Sequence, residues 1–201
     1  MTQMGFYFDQ TACINCYTCV VACKDWHDVP AGPASLIRVS TIEKGKCPEV
    51  SIHPMVNLCY HCGKPACVST CPMGAITKRE EDGIVVVDRE MCQGKDNCSL
   101  CKDACPYDAP QFGAEENAKM QKCDFCFDRL AEGKKPACVD ACLMRALDAG
   151  PIEDLRAKNG DIRETEGFVY GDECMPSIVF KPKKDTKRLI VQKVVVAPPT
   201  S

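Results

Sequence analysis

The sequence predicts an α+β fold made of two modules, one inserted in the other, followed by a C-terminal extension. Three observations carry that prediction. Eighteen cysteines stand among 201 residues, and sixteen of them fall into four runs. Every run ends in the same Cys-x3-Cys step, an internal repeat that marks duplicated units. Short β-branched segments flank the runs, and one helical signal follows the last. The expected boundaries are residues 1–57 with 110–150 for the outer module, 58–109 for the inserted one and 151–201 for the extension.

In sequence order, 5–9 (GFYFD) reads as a strand leading into the first run, Cys13-x2-Cys16-x2-Cys19-x3-Cys23. Residues 24–58, with Pro30, Gly32, Pro33, Gly45 and Pro48, read as a long loop-rich insertion. The second run is Cys59-x2-Cys62-x4-Cys67-x3-Cys71-Pro72. After it, 75–76 and 84–87 read as a small hairpin turning at Gly83. The third run is Cys92-x5-Cys98-x2-Cys101-x3-Cys105-Pro106, and the fourth Cys123-x2-Cys126-x11-Cys138-x3-Cys142. Residues 145–148 give a further strand. IEDLRAKNG reads as a short helix: acidic residues open it, Arg156 and Lys158 close it, and Gly160 stops it. The tail carries a basic cluster, Lys181, Lys183, Lys184, Lys187 and Arg188, read as a solvated face.

Composition narrows the function. A net charge of −3 argues against general nucleic-acid binding, which needs a basic surface. No stretch reaches the ~20 apolar residues of a membrane span; the best, 189–196, is short and broken by Gln192 and Lys193. The opening MTQMGFYFDQ reads as carrying no leader, since no cationic stretch precedes an apolar one. One Trp and seven Phe promise only a thin apolar core, so bound metal is expected to supply part of the folding energy.

The cysteine spacing names the metal chemistry. A cubane iron–sulfur cluster needs four thiolates around one compact core. Cys-x2-Cys-x2-Cys wraps three corners with one tight loop, whose backbone N–H groups point at the sulfurs. The fourth cysteine is expected on a helix leaving the loop; in two-cluster ferredoxins it ligates the other cluster and precedes a proline. Cys71-Pro72 and Cys105-Pro106 have that form. Runs two and three then exchange fourth ligands, giving one cluster on Cys59, Cys62, Cys67 and Cys105 and another on Cys92, Cys98, Cys101 and Cys71. Runs one and four pair by the same exchange: Cys13, Cys16, Cys19 with Cys142, and Cys123, Cys126, Cys138 with Cys23. There Lys24 and Leu143 stand where proline would. The modules are therefore bacterial-ferredoxin-like, with four 4Fe-4S clusters as cofactors.

Three other readings compete. Zinc sites pair two C-x2-C elements across a longer gap, a grammar no run here has. Disulfides suit an exported scaffold, but cysteines three apart in series are poorly placed to bridge one another. Plain buried thiols do not account for four similar runs.

These residues also carry a resemblance. GFYFDQTACINCYTCVVACKDWHD, CPMGAITKREEDGIVVVD, ACPYDAPQF, KCDFCFDRLAEGKKPACVDAC and RALDAGPIEDLRAKNGDI resemble the iron–sulfur (beta) subunit of the dimethyl sulfoxide reductase family of molybdopterin oxidoreductases. The likeness covers most of residues 5–162, with 178–183 a further echo. It implies an electron-transfer subunit relaying electrons through four cubanes between a membrane quinol or quinone subunit and a molybdopterin or tungstopterin catalytic subunit. Related subunits serve polysulfide, thiosulfate and tetrathionate reductases and formate dehydrogenases. It further implies membrane association through that partner, on the outer, periplasmic-side face. In the relatives run three opens with Cys-x2-Cys, whereas Cys92-Gln-Gly-Lys-Asp-Asn-Cys98 has three extra residues, so any departure from the family geometry is expected there. A free-standing polyferredoxin and a metal-stabilised binding module are the alternatives.

Cys47 and Cys174 fall outside the runs and read as ordinary thiols, a ligand or disulfide role being the lesser alternative. Trp26 and His27 read as local structure, with cluster or partner contact as the sharper option. His61, inside run two, is placed to tune a cluster by hydrogen bonding. His53 carries no signal. No acid–base pair, activated nucleophile or phosphate loop emerges, so catalysis is expected on a partner protein.

Overall fold

The computed structural model describes residues 2–184, and over these the fold is mixed α/β. Strand β1 (Met4–Asp9) leads into the first cysteine loop and helix α1 (Thr18–Trp26). Then β2 (Ile37–Lys46) and β3 (Glu49–Leu58) form a long antiparallel hairpin, in register from Ile37↔Leu58 to Lys46↔Glu49. The loop-rich reading of 24–58 is corrected here. Gly45 and Pro48 belong to the tip of this ribbon, not to an irregular loop. Pro54 is tolerated inside β3 because a two-stranded ribbon is all edge, where no further neighbour needs the missing N–H. The base of the ribbon is buried through Ile37, Met55, Val56 and Leu58, and its outer half stands exposed with Val50 and Ile52. Cys47 occupies the exposed tip.

Short helix α2 (Ala66–Thr70), strands β4 (Ile76–Lys78) and β5 (Val85–Val87), and helices α3 (Leu100–Asp103), α4 (Phe127–Ala131) and α5 (Ala137–Asp140) follow. The expected hairpin is β4–β5, paired Ile76↔Val87, with Gly83 at φ +69 in its turn. Strand β6 (Leu147–Pro151), helix α6 (Ile152–Asn159) and strand β7 (Ile178–Lys181) complete the order. Helix α6 has the predicted Glu153 and Asp154 in its first turn and ends at Gly160, φ +87.

A three-stranded sheet, β6–β1–β7, ties the fold together. β6 runs antiparallel to β1 (Phe6↔Ala149) and β7 parallel to it (Phe6↔Ile178). The strand that opens run one is thus bonded to the strand that follows run four. Gln10, fully buried, extends this tie: its Nε2 donates to the Pro54 and Glu166 carbonyls, and its Oε1 accepts from Thr165 Oγ1 and the Lys183 N–H.

The core is less thin than composition promised. Phe6, Phe8, Phe125, Phe168 and Phe180 are all buried in one cluster with Tyr60, so five of the seven Phe serve one place. Phe6 meets Phe125 at 4.4 Å between centroids, Phe168 meets Phe180 at 4.8 Å, and Tyr60 meets Phe168 edge-on at 5.1 Å. A few large rings bury more apolar area per residue than aliphatic side chains do. Of the basic cluster, Lys181 pairs with Asp9 and Lys183 reaches the Ile52 carbonyl; Lys187, Arg188 and segment 189–196 lie outside the described residues.

Candidate metal centres

The loops that carry the cysteines owe their shape to backbone most residues avoid. Asn15 and Tyr17 in run one, His61 in run two, and Phe125 and Cys126 in run four all have positive φ. Such residues turn successive N–H groups to one side, building a concave nest for anionic sulfur. The repeat seen in the sequence is also a repeat in space. The third residue after the last cysteine of runs two, three and four is left-handed (Gly74 +61, Asp108 +49, Arg145 +51), and its N–H bonds back to that cysteine's carbonyl. Run one departs from this, because α1 continues straight through Cys23. The fourth cysteines of the other runs stand just beyond α2, α3 and α5 rather than on a departing helix.

Three cavities of near-equal volume each gather one predicted set. Cys13, Cys16, Cys19 and Cys142 line one of 360 Å³; Cys71, Cys92, Cys98 and Cys101 line another of 360 Å³. Cys59, Cys62, Cys67 and Cys105 line one of 410 Å³, joined there by Cys174 and Lys122. Cys23, Cys123, Cys126 and Cys138 are all buried where α1 meets α5 and the run-four loop. Burial, then the neighbouring Cys126 and Asp124, push the Cys23 thiol up to about 12. Burial, then Cys23 and Cys126, raise Cys138 as well.

Those raised thiols are the metal-free form. Burial alone disfavours a bare thiolate, so a positive centre must compensate it. Backbone donors are already aimed at the sulfurs: Ala109 N–H at Cys105 (3.5 Å), Ala146 N–H at Cys142 (3.2 Å), Met120 N–H at Cys92 (3.5 Å) and Phe125 N–H at Cys123 (3.4 Å). The spread of the sulfurs discriminates between metals. Four thiolates on one tetrahedral zinc at ~2.3 Å would lie ~3.8 Å apart. Among the described residues, no three cysteine sulfurs lie within 4.8 Å of one another. The thiol sets fit a polynuclear cluster better than a single ion.

The stretched third run keeps its cavity by looping out the extra residues. Lys95 N–H bonds the Ala118 carbonyl (3.0 Å), Asp96 and Asn117 exchange hydrogen bonds, and Cys98 N–H returns to the Gly94 carbonyl (2.9 Å). Gly94, at φ +87, passes so close to Asn117 that a Cβ would lie 2.2 Å from its Oδ1.

The similarities to known proteins agree with this chemistry. A family described as a 4Fe-4S dicluster domain matches residues 50–152. The beta chain of anaerobic dimethyl sulfoxide reductase from Escherichia coli (strain K12) is 43% identical over 194 residues, 92% of each protein. The protein belongs to this family of iron–sulfur beta subunits. The corresponding Haemophilus influenzae member is 40% identical over 193 residues, covering 92% of this protein and 91% of its own length. The beta subunit of sulfite dehydrogenase from Allochromatium vinosum is 33% identical over 210 residues, covering 93% and 86%. As a member of this family the protein carries iron–sulfur clusters and transfers electrons within an oxidoreductase complex. No helix among the described residues is long and apolar enough to cross a membrane.

Several neighbours of the centres escaped sequence reasoning. His27 Nε2 lies 3.4 Å from Cys126 Sγ and 3.5 Å from Asp124 Oδ1. Trp26 turns outward instead, donating to Asp128 (3.0 Å) beneath the Arg129 guanidinium. His61 departs from its expected role: its Nδ1 accepts the Val85 N–H at 3.0 Å, and the ring stands edge-on to Phe125. Burial, then Lys122 and Lys78, hold His61 well below the usual histidine range, so it acts as a neutral brace for β5. Lys122 is buried, donating to the Val85 and Cys123 carbonyls. Only its place directly before Cys123 hinted at this.

Proposed function

We propose that this protein relays single electrons through four 4Fe-4S clusters, held by Cys13, Cys16, Cys19 and Cys142; Cys23, Cys123, Cys126 and Cys138; Cys59, Cys62, Cys67 and Cys105; and Cys71, Cys92, Cys98 and Cys101. The observation that carries the reading is the gathering of each thiol set about its own buried space. Bound there, each cluster supplies a one-electron redox couple. The protein's part is to hold the thiolates, exclude water and direct N–H dipoles at sulfur, which together set each potential.

The sets join in a row. Helix α1 carries Cys19 of the first and Cys23 of the second, and Cys138 and Cys142 bridge the same two. Cys59 lies close enough to help raise the Cys123 thiol, linking the second set to the third. Cys67 with Cys71, and Cys101 with Cys105, link the third to the fourth. Two ferredoxin-like modules, 58–109 inserted between 1–57 and 110–150, follow from that connectivity, with 151–201 as an extension. Exposed apolar residues surround both ends of the row: Ile14, Tyr17, Leu143 and Met144 at one, Met73, Met91 and Leu100 at the other. Such patches suit partner contacts. We assign them to a molybdopterin or tungstopterin catalytic subunit and a quinol-interacting membrane subunit. The complex then sits on the outer, periplasmic-side face, and substrate chemistry belongs to the catalytic partner.

The test is anaerobic purification with iron and acid-labile sulfide analysis, followed by a redox titration monitored by electron paramagnetic resonance. Four cubanes that reduce and reoxidise, in a protein that co-purifies with a pterin-bearing subunit, are expected. Clusters that stay redox-silent would overturn the relay.

A further inference from the structure

Five thiols, not four, line the cavity built by Cys59, Cys62, Cys67 and Cys105. The fifth, Cys174, is buried on the turn before β7, outside every cysteine run. Its position is held from two sides. The Gly63 N–H bonds the Met175 carbonyl (2.7 Å) and the Lys64 N–H bonds the Cys174 carbonyl (2.9 Å), which stitches this turn to the loop directly after Cys62. On the other side, the Gly171 N–H donates to Tyr107 Oη (3.0 Å), whose ring lines the same cavity. The Cys174 thiol itself makes only long contacts, 3.5 Å to the Gly171 carbonyl and 3.8 Å to Tyr107 Oη. A buried thiol held this weakly is free to turn.

We propose that Cys174 is a reserve ligand of this centre, able to take the iron corner of Cys62 when that residue is lost or oxidised. The inference rests on the four-cluster reading above. In the exchange, Cys174 gives its proton to solvent as its sulfur bonds the iron, and the water or hydroxide that had filled the open corner leaves. Cys62 is the corner concerned because the backbone directly after it is hydrogen-bonded to the backbone of the Cys174 turn.

The experiment compares parent, Cys62→Ala, Cys174→Ala and the double variant, each purified anaerobically as the complex. Iron and sulfide are counted per complex, and spectra of oxidised samples are searched for the signal of a three-iron cluster. Cys62→Ala is expected to keep the parent's iron content without a three-iron signal, with one midpoint potential shifted. Cys174→Ala is expected to keep all clusters, and the double variant to lose iron from one centre. Cys62→Ala that matches the double variant, or fails to load at all, overturns the proposal. Loss of a cluster in Cys174→Ala alone also overturns it, since Cys174 would then be a resident ligand. A parent protein short of iron at this centre overturns the four-cluster reading, and is told apart because the deficit precedes any substitution.

Discussion

Replacing Lys122 with methionine removes one buried positive charge while keeping nearly the same volume. The residue is 4% exposed, lines the cavity of Cys59, Cys62, Cys67 and Cys105, and donates to the carbonyl of Cys123, a member of the adjoining set. Its ammonium therefore acts on two centres. At an effective dielectric of ~20, a unit charge ~7 Å from the added electron contributes ~2 kcal/mol. For a one-electron couple that is on the order of 80–100 mV. A cation favours the reduced, more negative state, so Lys122→Met lowers both potentials. Burial shields the effect from salt, and the shift is expected to survive a rise in ionic strength. The assay is a paired redox titration of parent and variant complexes, with iron content confirming equal loading. Shifts below ~20 mV at every cluster would refute the argument that this charge sets the potentials.

Three further outcomes are expected. Gly5→Ala would place a Cβ 2.6 Å from the Ser177 carbonyl oxygen and 2.7 Å from Ile152 Cδ1, so β1 cannot stay seated between α6 and the segment before β7; a loss of ~1–3 kcal/mol, read as a lower thermal midpoint, follows. Gln10→Leu strands the Pro54 and Glu166 carbonyls and the Lys183 N–H; at ~1 kcal/mol or more for each orphaned group, cluster bleaching on heating should come several-fold faster. Asp9 is pushed up by burial but pulled further down by its bonds to Lys181 and Thr11, so its folded pKa lies below the usual carboxylate value. Its contribution is present above that usual value and lost as pH falls through the lowered one. The thermal midpoints of parent and Asp9→Asn should therefore differ near pH 7 and converge toward pH 3, against the reasoning if the gap stays constant.

Local chemistry made much of this protein legible before any tertiary contact was known. Cysteines two and three residues apart can only wrap a compact centre, and the four runs announce that in the sequence itself. Gly83 between β-branched segments marks the β4–β5 hairpin, and the charges and Gly160 around α6 mark that helix, since turns and caps are decided by near neighbours. The β2–β3 ribbon was hidden because half its surface stays exposed and Pro54 sits inside a strand, so neither alternation nor composition signals it. The tertiary structure alone decided the long-range neighbours. The parallel pairing of β7 with β1, the burial of five phenylalanines in one cluster, Lys122 between two centres and Cys174 beside Cys62 all depend on segments far apart in the sequence. Spacing fixes which residues can share a loop, but only closure of the whole fold determines what faces that loop across the gap.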